Sequence, residues 1–318
     1  MRRENVAIVF PGQGSQYIGM GQDLYNNFPV AKQVFEEVND AINQKLSDLM
    51  FYGDREELNL TENAQPAIMA CSIAAYRVLA EKNGADTMLN MCAVTAGHSL
   101  GEYSALCAAE SISLTDTARL LKKRGLAMQA AAPVGSGGML VLLGVDFEIA
   151  TEIVIEAEKY GVCEVANDNC PGQIVISGAM QAIDYAASIA SRYGCKKAIK
   201  LSVSAPFHCA LMNSAAKVME DELSKIAIAA PVVPVVSNYT ARPNLSQMQI
   251  LQLLVGQIPN VVRWTESVKM MLSRYNVKNF LEIGPGKVLS GLINRTLVGV
   301  NCMNFETTSD IMKIPSII

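Results

Sequence analysis

The first third of this chain alternates short, largely apolar runs with longer stretches of mixed character. Val6-Ala-Ile-Val-Phe10 has no polar position, the pattern of a strand buried on both faces. Cys92-Ala-Val-Thr-Ala96, apolar apart from Thr95 and partly β-branched, also reads as a buried strand. Segments rich in Ala and Leu predict helices around 30–43, 64–81, 102–110 and 115–129. Strands alternating with helices in this way predict a parallel α/β sheet covered on both faces. After Pro133-Val-Gly-Ser-Gly-Gly138 the rhythm changes. Met139–Leu143 is a strand and Phe147–Tyr160 a helix. Cys163–Ala166 and Ile174–Ile176 are strands around the turn Asn167-Asp-Asn-Cys-Pro-Gly172. Gln181–Tyr193 is a helix and Lys197–Leu201 a closing strand. That order, β-α-β-β-α-β, is the split βαβ of a ferredoxin-like unit. Residues 134–202 are therefore expected to be a subdomain inserted into a larger α/β domain formed by 1–133 and 203–318. Beyond 204 the main sheet resumes, with strands near 233–236, 279–283 and 299–303. There are no internal repeats and no low-complexity segments.

Composition narrows the class. With 318 residues, 50% apolar and 18% charged, the chain can bury a large core and is not disordered. A net charge of −4 offers no general attraction to nucleic acid. The eight cysteines are scattered through apolar segments without a C-x-x-C pair, which suits free thiols in a reducing cytoplasm better than disulfides or a zinc site. Met1-Arg-Arg-Glu-Asn5 leads into a strand without the apolar core of a signal peptide. No run suggests a membrane span. The uncharged stretch 129–145 is broken by Pro133 and several glycines.

The chemistry concentrates at Gly97-His98-Ser99-Leu100-Gly101, a G-x-S-x-G pentapeptide between the predicted strand 92–96 and the helix that follows. In so tight a turn glycine is needed on both sides, and the serine hydroxyl is exposed above a helix N-terminus. The bare pattern recurs by chance, but this placement favours a nucleophile. A serine nucleophile needs a base, and the chain has two histidines. His98 adjoins Ser99, where the turn directs the side chain elsewhere, so His208, in the loop Ser204-Ala-Pro-Phe-His208, is the candidate. No carboxylate near it in sequence completes a triad, which leaves a main-chain carbonyl or an amide as the acceptor. An oxyanion hole needs two backbone donors. Leu100, after the nucleophile, is the usual first. Gln13, in the glycine-rich loop Pro11-Gly-Gln-Gly-Ser-Gln16, is a candidate second, although such loops are often only surface turns. Lys122-Lys-Arg124 near a helix C-terminus could simply answer the dipole. Gly125 argues for more, because a mid-helix glycine costs about 1 kcal/mol relative to alanine. Something must approach closely there, and Arg124 beside it could hold a carboxylate with its planar guanidinium.

Taken together, these segments resemble the malonyl-CoA:acyl carrier protein transacylase family over essentially the whole chain. The resemblance rests on Phe10-Pro-Gly-Gln-Gly-Ser-Gln16, Gly97-His-Ser-Leu-Gly-Glu-Tyr103, Arg124-Gly-x-x-Met-Gln129, Asn167-x-Asn-x-Pro-Gly-Gln173, Phe207-His-x-x-x-Met212, the Gln257–Trp264 region and Glu282-Ile-Gly-Pro-Gly-Lys-Val-Leu289. It implies a larger hydrolase-like parallel-sheet domain with an inserted ferredoxin-like subdomain. It implies transfer of malonyl from malonyl-CoA to the phosphopantetheine thiol of acyl carrier protein, through a malonyl-serine. In that scheme Ser99 is acylated, His208 is base and acid, and Gln13 and Leu100 form the oxyanion hole. Arg124 holds the malonyl carboxylate. Gln257 orients the histidine through its main-chain carbonyl. His98 sits in the cleft, Phe207 presses on the substrate α-carbon, and Asn167 and Asn169 line the thioester side. The resemblance also implies a monomer with no metal or bound cofactor, while the composition points to the cytoplasm and gives no reason to expect a membrane or nucleic-acid partner. Arg192, Lys196, Lys197, Lys200, Lys287 and Arg295 are basic candidates for an acidic carrier.

Three other readings compete. A patatin-like serine acylhydrolase shares the elbow, but a neutral lipid ester gives Arg124 nothing to bind. A non-catalytic carrier-binding scaffold has no use for Ser99, His208 and Arg124 together. A module excised from a polyketide synthase is expected to retain linker remnants.

Overall fold

The computed structural model describes residues 5–84, 88, 91–203 and 205–313. Eleven strands are present among them: β1 Val6–Phe10, β2 Cys92–Gly97, β3 Gly137–Leu143, β4 Cys163–Cys170, β5 Gln173–Ala179, β6 Lys197–Lys200, β7 Val235–Val236, β8 Pro243–Asn244, β9 Val262–Arg263, β10 Asn279–Ile283 and β11 Asn301–Phe305. They form a six-stranded sheet, β11-β10-β1-β2-β7-β8, and a five-stranded sheet, β6-β3-β5-β4-β9. The larger sheet is parallel except at its edge, where β8 runs antiparallel to β7.

The apolar run of β1 is explained by two cores. Val6, Ile8 and Phe10 pack into one with the helices Pro29–Ile42, Thr61–Asn83 and Leu114–Ala130. Ala7 and Val9 enter the other with Trp264, Val268 and Leu292 from the helices Trp264–Tyr275 and Val288–Thr296. Because successive strand side chains point to opposite faces, both faces of the sheet must be covered. The fold is the expected α/β class.

In the smaller sheet, β3, β4, β5 and β6 stand in the spatial order β6-β3-β5-β4 with the helices Phe147–Ala157 and Met180–Ile189 between strands in sequence. This is the ferredoxin-like arrangement. Leu140, Leu142, Ile174 and Ile176 face those two helices, while Met139 and Val175 face the core of the larger body.

Two features depart from expectation. The segment Asn167–Cys170, read as a turn, is the end of β4. It pairs with β5 (Asn167 with Val175, Cys170 with Gln173), and the reversal is confined to Pro171 and Gly172, whose φ is +78°. In addition, β9, far along the chain, pairs in parallel with β4 through Asn167–Val262 and Asp168–Arg263. That partner holds Asn167 and Asp168 in a ladder that local sequence does not reveal. The short helices Gln22–Asn27, Leu46–Tyr52 and Arg55–Asn59 also lacked a clear sequence signal.

Candidate active site

The pentapeptide is a true elbow. β2 ends at Gly97 and a helix starts at Gly101 (Gly101–Ala108), leaving three residues to reverse direction. A Cβ at Gly97 would lie 1.9 Å from the Gly101 carbonyl oxygen, and one at Gly101 would lie 2.3 Å from that of Phe10. No side chain fits either place. Ser99 adopts φ +52°, a left-handed conformation that costs a non-glycine residue of order 1–3 kcal/mol and persists only where its surroundings enforce it. The loop after β1 presses on this turn, since a Cβ at Gly12 would come within 2.6 Å of the His98 carbonyl oxygen. The backbone N–H groups of Gln13 and Leu100 donate to no protein acceptor among the described residues.

Ser99 and His208 meet across 109 residues of chain, with Ser99 Oγ 2.9 Å from His208 Nε2. The other ring nitrogen, Nδ1, lies 3.0 Å from the Gln257 carbonyl oxygen. That oxygen only accepts, so Nδ1 carries the proton and Nε2 presents its lone pair to the serine hydroxyl. Gln257 is the last residue of the helix Gln247–Gln257, which aims its carbonyl at the ring. Burial, and then the Arg124 charge, push the His208 pKa down to about 3, so the imidazole is neutral at physiological pH. Ser204, in the loop before it, lies outside the described residues.

Arg124 extends from the helix Leu114–Ala130 into the same site and is only 1% exposed. Its Nη1 donates to Gln65 Oε1 (2.8 Å), and its Nη2 donates to Ser99 Oγ (3.0 Å) and Gln257 Oε1 (2.9 Å). These partners are neutral, Nε has no acceptor, and among the described residues the guanidinium makes no ion pair. An always-charged group is thus held in the interior without a direct ion pair, and the nearest buried carboxylate, Glu102, reaches it only across the Gln257 amide. Gly125 is the close approach that its position suggested. A Cβ there would sit 2.5 Å from the Glu62 Cα, so the backbone of the helix Thr61–Asn83 lies directly against this turn and brings Gln65 to Arg124.

A cleft of about 670 Å³ opens above these groups, lined by Gln13, His98, Ser99, Arg124, Asn167, Phe207 and His208 among others. That is the size of a small-molecule site. Asn169 is not among the lining residues. Its Oδ1 accepts from His98 Nε2 at 2.8 Å, and the His98 ring packs on Trp264 with centroids 5.7 Å apart. His98 is therefore engaged away from the serine, and burial lowers its pKa. Three contributors escaped the sequence reading: Gln65, Glu102 and Asn238. No group of three or more His, Cys, Asp or Glu side chains among the described residues could hold a metal ion. No helix among them is long and apolar enough to cross a membrane.

An α/β fold with a serine elbow, a neutral histidine and a buried cation at one cleft defines an acyltransferase, and the chain belongs to the acyl transferase domain family, whose model matches residues 7–311. Its relatives are more specific. It is 43% identical over 306 residues to the malonyl CoA-acyl carrier protein transacylase of Bacillus subtilis, covering 95% of this chain and 94% of that protein. The crystal structure of an acyl-carrier-protein-S-malonyltransferase from Bartonella henselae superposes with a TM-score of 0.95 at 47% identity, covering 98% of each chain. A malonyl-transacylase in complex with its type II PKS acyl-carrier protein superposes with a TM-score of 0.94 at 40% identity, covering 98% of this chain and 99% of that one.

Proposed function

We propose that this enzyme moves the malonyl group of malonyl-CoA onto the phosphopantetheine thiol of acyl carrier protein, supplying malonyl-carrier for fatty-acid elongation in the cytoplasm. The observation that carries this reading is the unpaired, buried Arg124 guanidinium 3.0 Å from Ser99 Oγ. A cation with no direct ion pair, beside a nucleophile, calls for an acyl group with its own carboxylate.

Ser99 Oγ attacks the thioester carbonyl carbon while His208 Nε2 takes its proton. The Gln257 carbonyl stabilises the resulting imidazolium through Nδ1–H. Negative charge on the tetrahedral oxygen meets the free N–H groups of Leu100 and Gln13. Collapse breaks the C–S bond, His208 returns the proton to the CoA sulfur, and a malonyl-serine ester remains. The carrier thiol repeats the sequence in reverse. It gives its proton to His208, its sulfur attacks the ester, and Ser99 leaves with the proton. The substrate carboxylate, held by Arg124, keeps the α-carbon against Phe207 and the ester away from bulk water. Asn167, at the cleft wall, faces the thioester arm. Asn169 acts one step back by fixing His98. The segment 134–202, taken as an inserted subdomain, forms one wall of the cleft through Met139 and Asn167. No resident metal or cofactor has a role in these steps.

The test is the fate of the malonyl group. Purified enzyme with malonyl-CoA and phosphopantetheinylated carrier should yield malonyl-carrier far in excess of free malonate. Release of malonate as the main product, with or without carrier, would make the protein a hydrolase.

A further inference from the structure

Beneath the elbow lies a buried carboxylate that none of these steps uses. Glu102, in the first turn of the helix Gly101–Ala108, is 3% exposed. Its Oε2 accepts from the Asn238 backbone N–H (2.9 Å) and from Gln257 Nε2 (2.7 Å). Asn238 brackets the strained turn, since its Oδ1 accepts from the Ser99 N–H (2.6 Å) and its Nδ2 donates to the Gly97 carbonyl (2.7 Å). Gln257 touches everything else. Its Nε2 also donates to the Ser99 carbonyl (3.0 Å), its Oε1 accepts from Arg124 (2.9 Å), and its main-chain oxygen accepts from His208 (3.0 Å).

An amide has one donor end and one acceptor end, so its direction matters. Glu102 and the Ser99 carbonyl both accept, which draws Nε2 toward them and leaves Oε1 for the guanidinium. The reversed amide would set donors against Arg124. With Glu102 removed, the Asn238 N–H also loses its acceptor, and the residue bracketing Ser99 loses its anchor. The geometry points to Glu102 as a positioning residue for acyl transfer: through Gln257 and Asn238 it holds Arg124, Ser99 and His208 in their mutual arrangement. The choice of malonyl as probe rests on the function proposed above.

Burial pushes the Glu102 carboxyl up to about 7, opposed by its bonds to Asn238 and Gln257, by the Arg124 charge and by Ser237; Arg124 and Tyr103 are the titratable groups facing it. The ionised carboxylate is the stronger acceptor. Wild-type acylation should therefore rise as pH climbs through about 7.

The experiment compares wild type, Glu102→Gln and Glu102→Ala in single-turnover acylation by malonyl-CoA and by acetyl-CoA across neutral pH, with circular dichroism to confirm folding. Glu102→Gln keeps an oxygen that can accept from both donors, so it should match the low-pH rate of wild type and lose the inflection. Glu102→Ala should be slower by roughly ten- to a hundredfold, as expected for misplaced catalytic groups, with malonyl hurt more than acetyl. A folded Glu102→Ala enzyme with the wild-type rate and an unchanged malonyl-to-acetyl ratio would overturn the inference. Survival of the inflection in Glu102→Gln would overturn it as well, and that measurement decides alone if the alanine variant does not fold. The wild-type adduct separates the two ideas. Its absence defeats malonyl transfer, while its presence with unaffected Glu102 variants defeats only the positioning role.

Discussion

Replacing Arg124 with alanine separates a malonyl transferase from a general acyl transferase. The guanidinium is buried and bonded only to neutral oxygens, with Nε unused. A substrate carboxylate arriving there gains charge-assisted hydrogen bonds worth roughly 1.5–3 kcal/mol each. At about 1.4 kcal/mol per factor of ten, losing one such bond weakens malonyl transfer by roughly tenfold to more than a hundredfold. The truncation has a second cost, because Gln65 Oε1, Gln257 Oε1 and Ser99 Oγ lose their donor. Malonyl and acetyl bear that cost alike. Only malonyl loses a counter-charge, whereas acetyl leaves the wild-type arginine unpaired. The informative quantity is therefore the ratio of single-turnover acylation rates with malonyl-CoA and acetyl-CoA, read by quenched intact mass. It should fall by at least tenfold in Arg124→Ala, because malonyl loses its counter-charge on top of the cost that both acyl groups share. An equal loss for both acyl groups would make the arginine structural and remove the main physical support for a malonyl substrate.

His208→Ala should slow acylation by several orders of magnitude, as loss of a triad-type base does, whereas His98→Ala should have a much smaller effect; stopped-flow release of CoA would show the reverse if the base were misassigned. Because His208 titrates at about 3, the acid limb that it imposes on acylation should lie far below that of an ordinary histidine. Arg124→Ala removes a charge that lowers this pKa, so the base becomes protonated at higher pH and the acid limb for acetyl-CoA should move upward. A limb that stays in place would show that the guanidinium does not act on His208.

The parts of the site carried by local chain geometry were legible in the sequence. A serine between two glycines, at the junction of a buried strand and a helix, could be read because sterics leave no other residue at 97 and 101. Gly125 betrayed a close approach for the same reason. What long-range pairing decides stayed hidden. Asn167–Cys170 looks like a turn and is a strand because β5 and β9 flank it. Asn238 follows a two-residue strand and had no signal at all. Glu102 stands in a helix's first turn, where the dipole alone favours an acid, and only the fold turns its carboxylate inward to Gln257. Gln65 offered a faint clue, a polar amide in an Ala-rich apolar helix, but nothing local tied it to Arg124.

Transfer through Ser99 is tested by intact-mass measurement of the enzyme mixed with malonyl-CoA and quenched in acid, followed by peptide mapping. The wild type should gain one malonyl unit on Ser99, lose it on addition of phosphopantetheinylated carrier, and show the same unit on the carrier thiol. Ser99→Ala, correctly folded, should gain nothing. A malonyl adduct on the alanine variant, or an adduct on wild type that the carrier thiol cannot remove, would rule out Ser99 as the carrier of the transferred group.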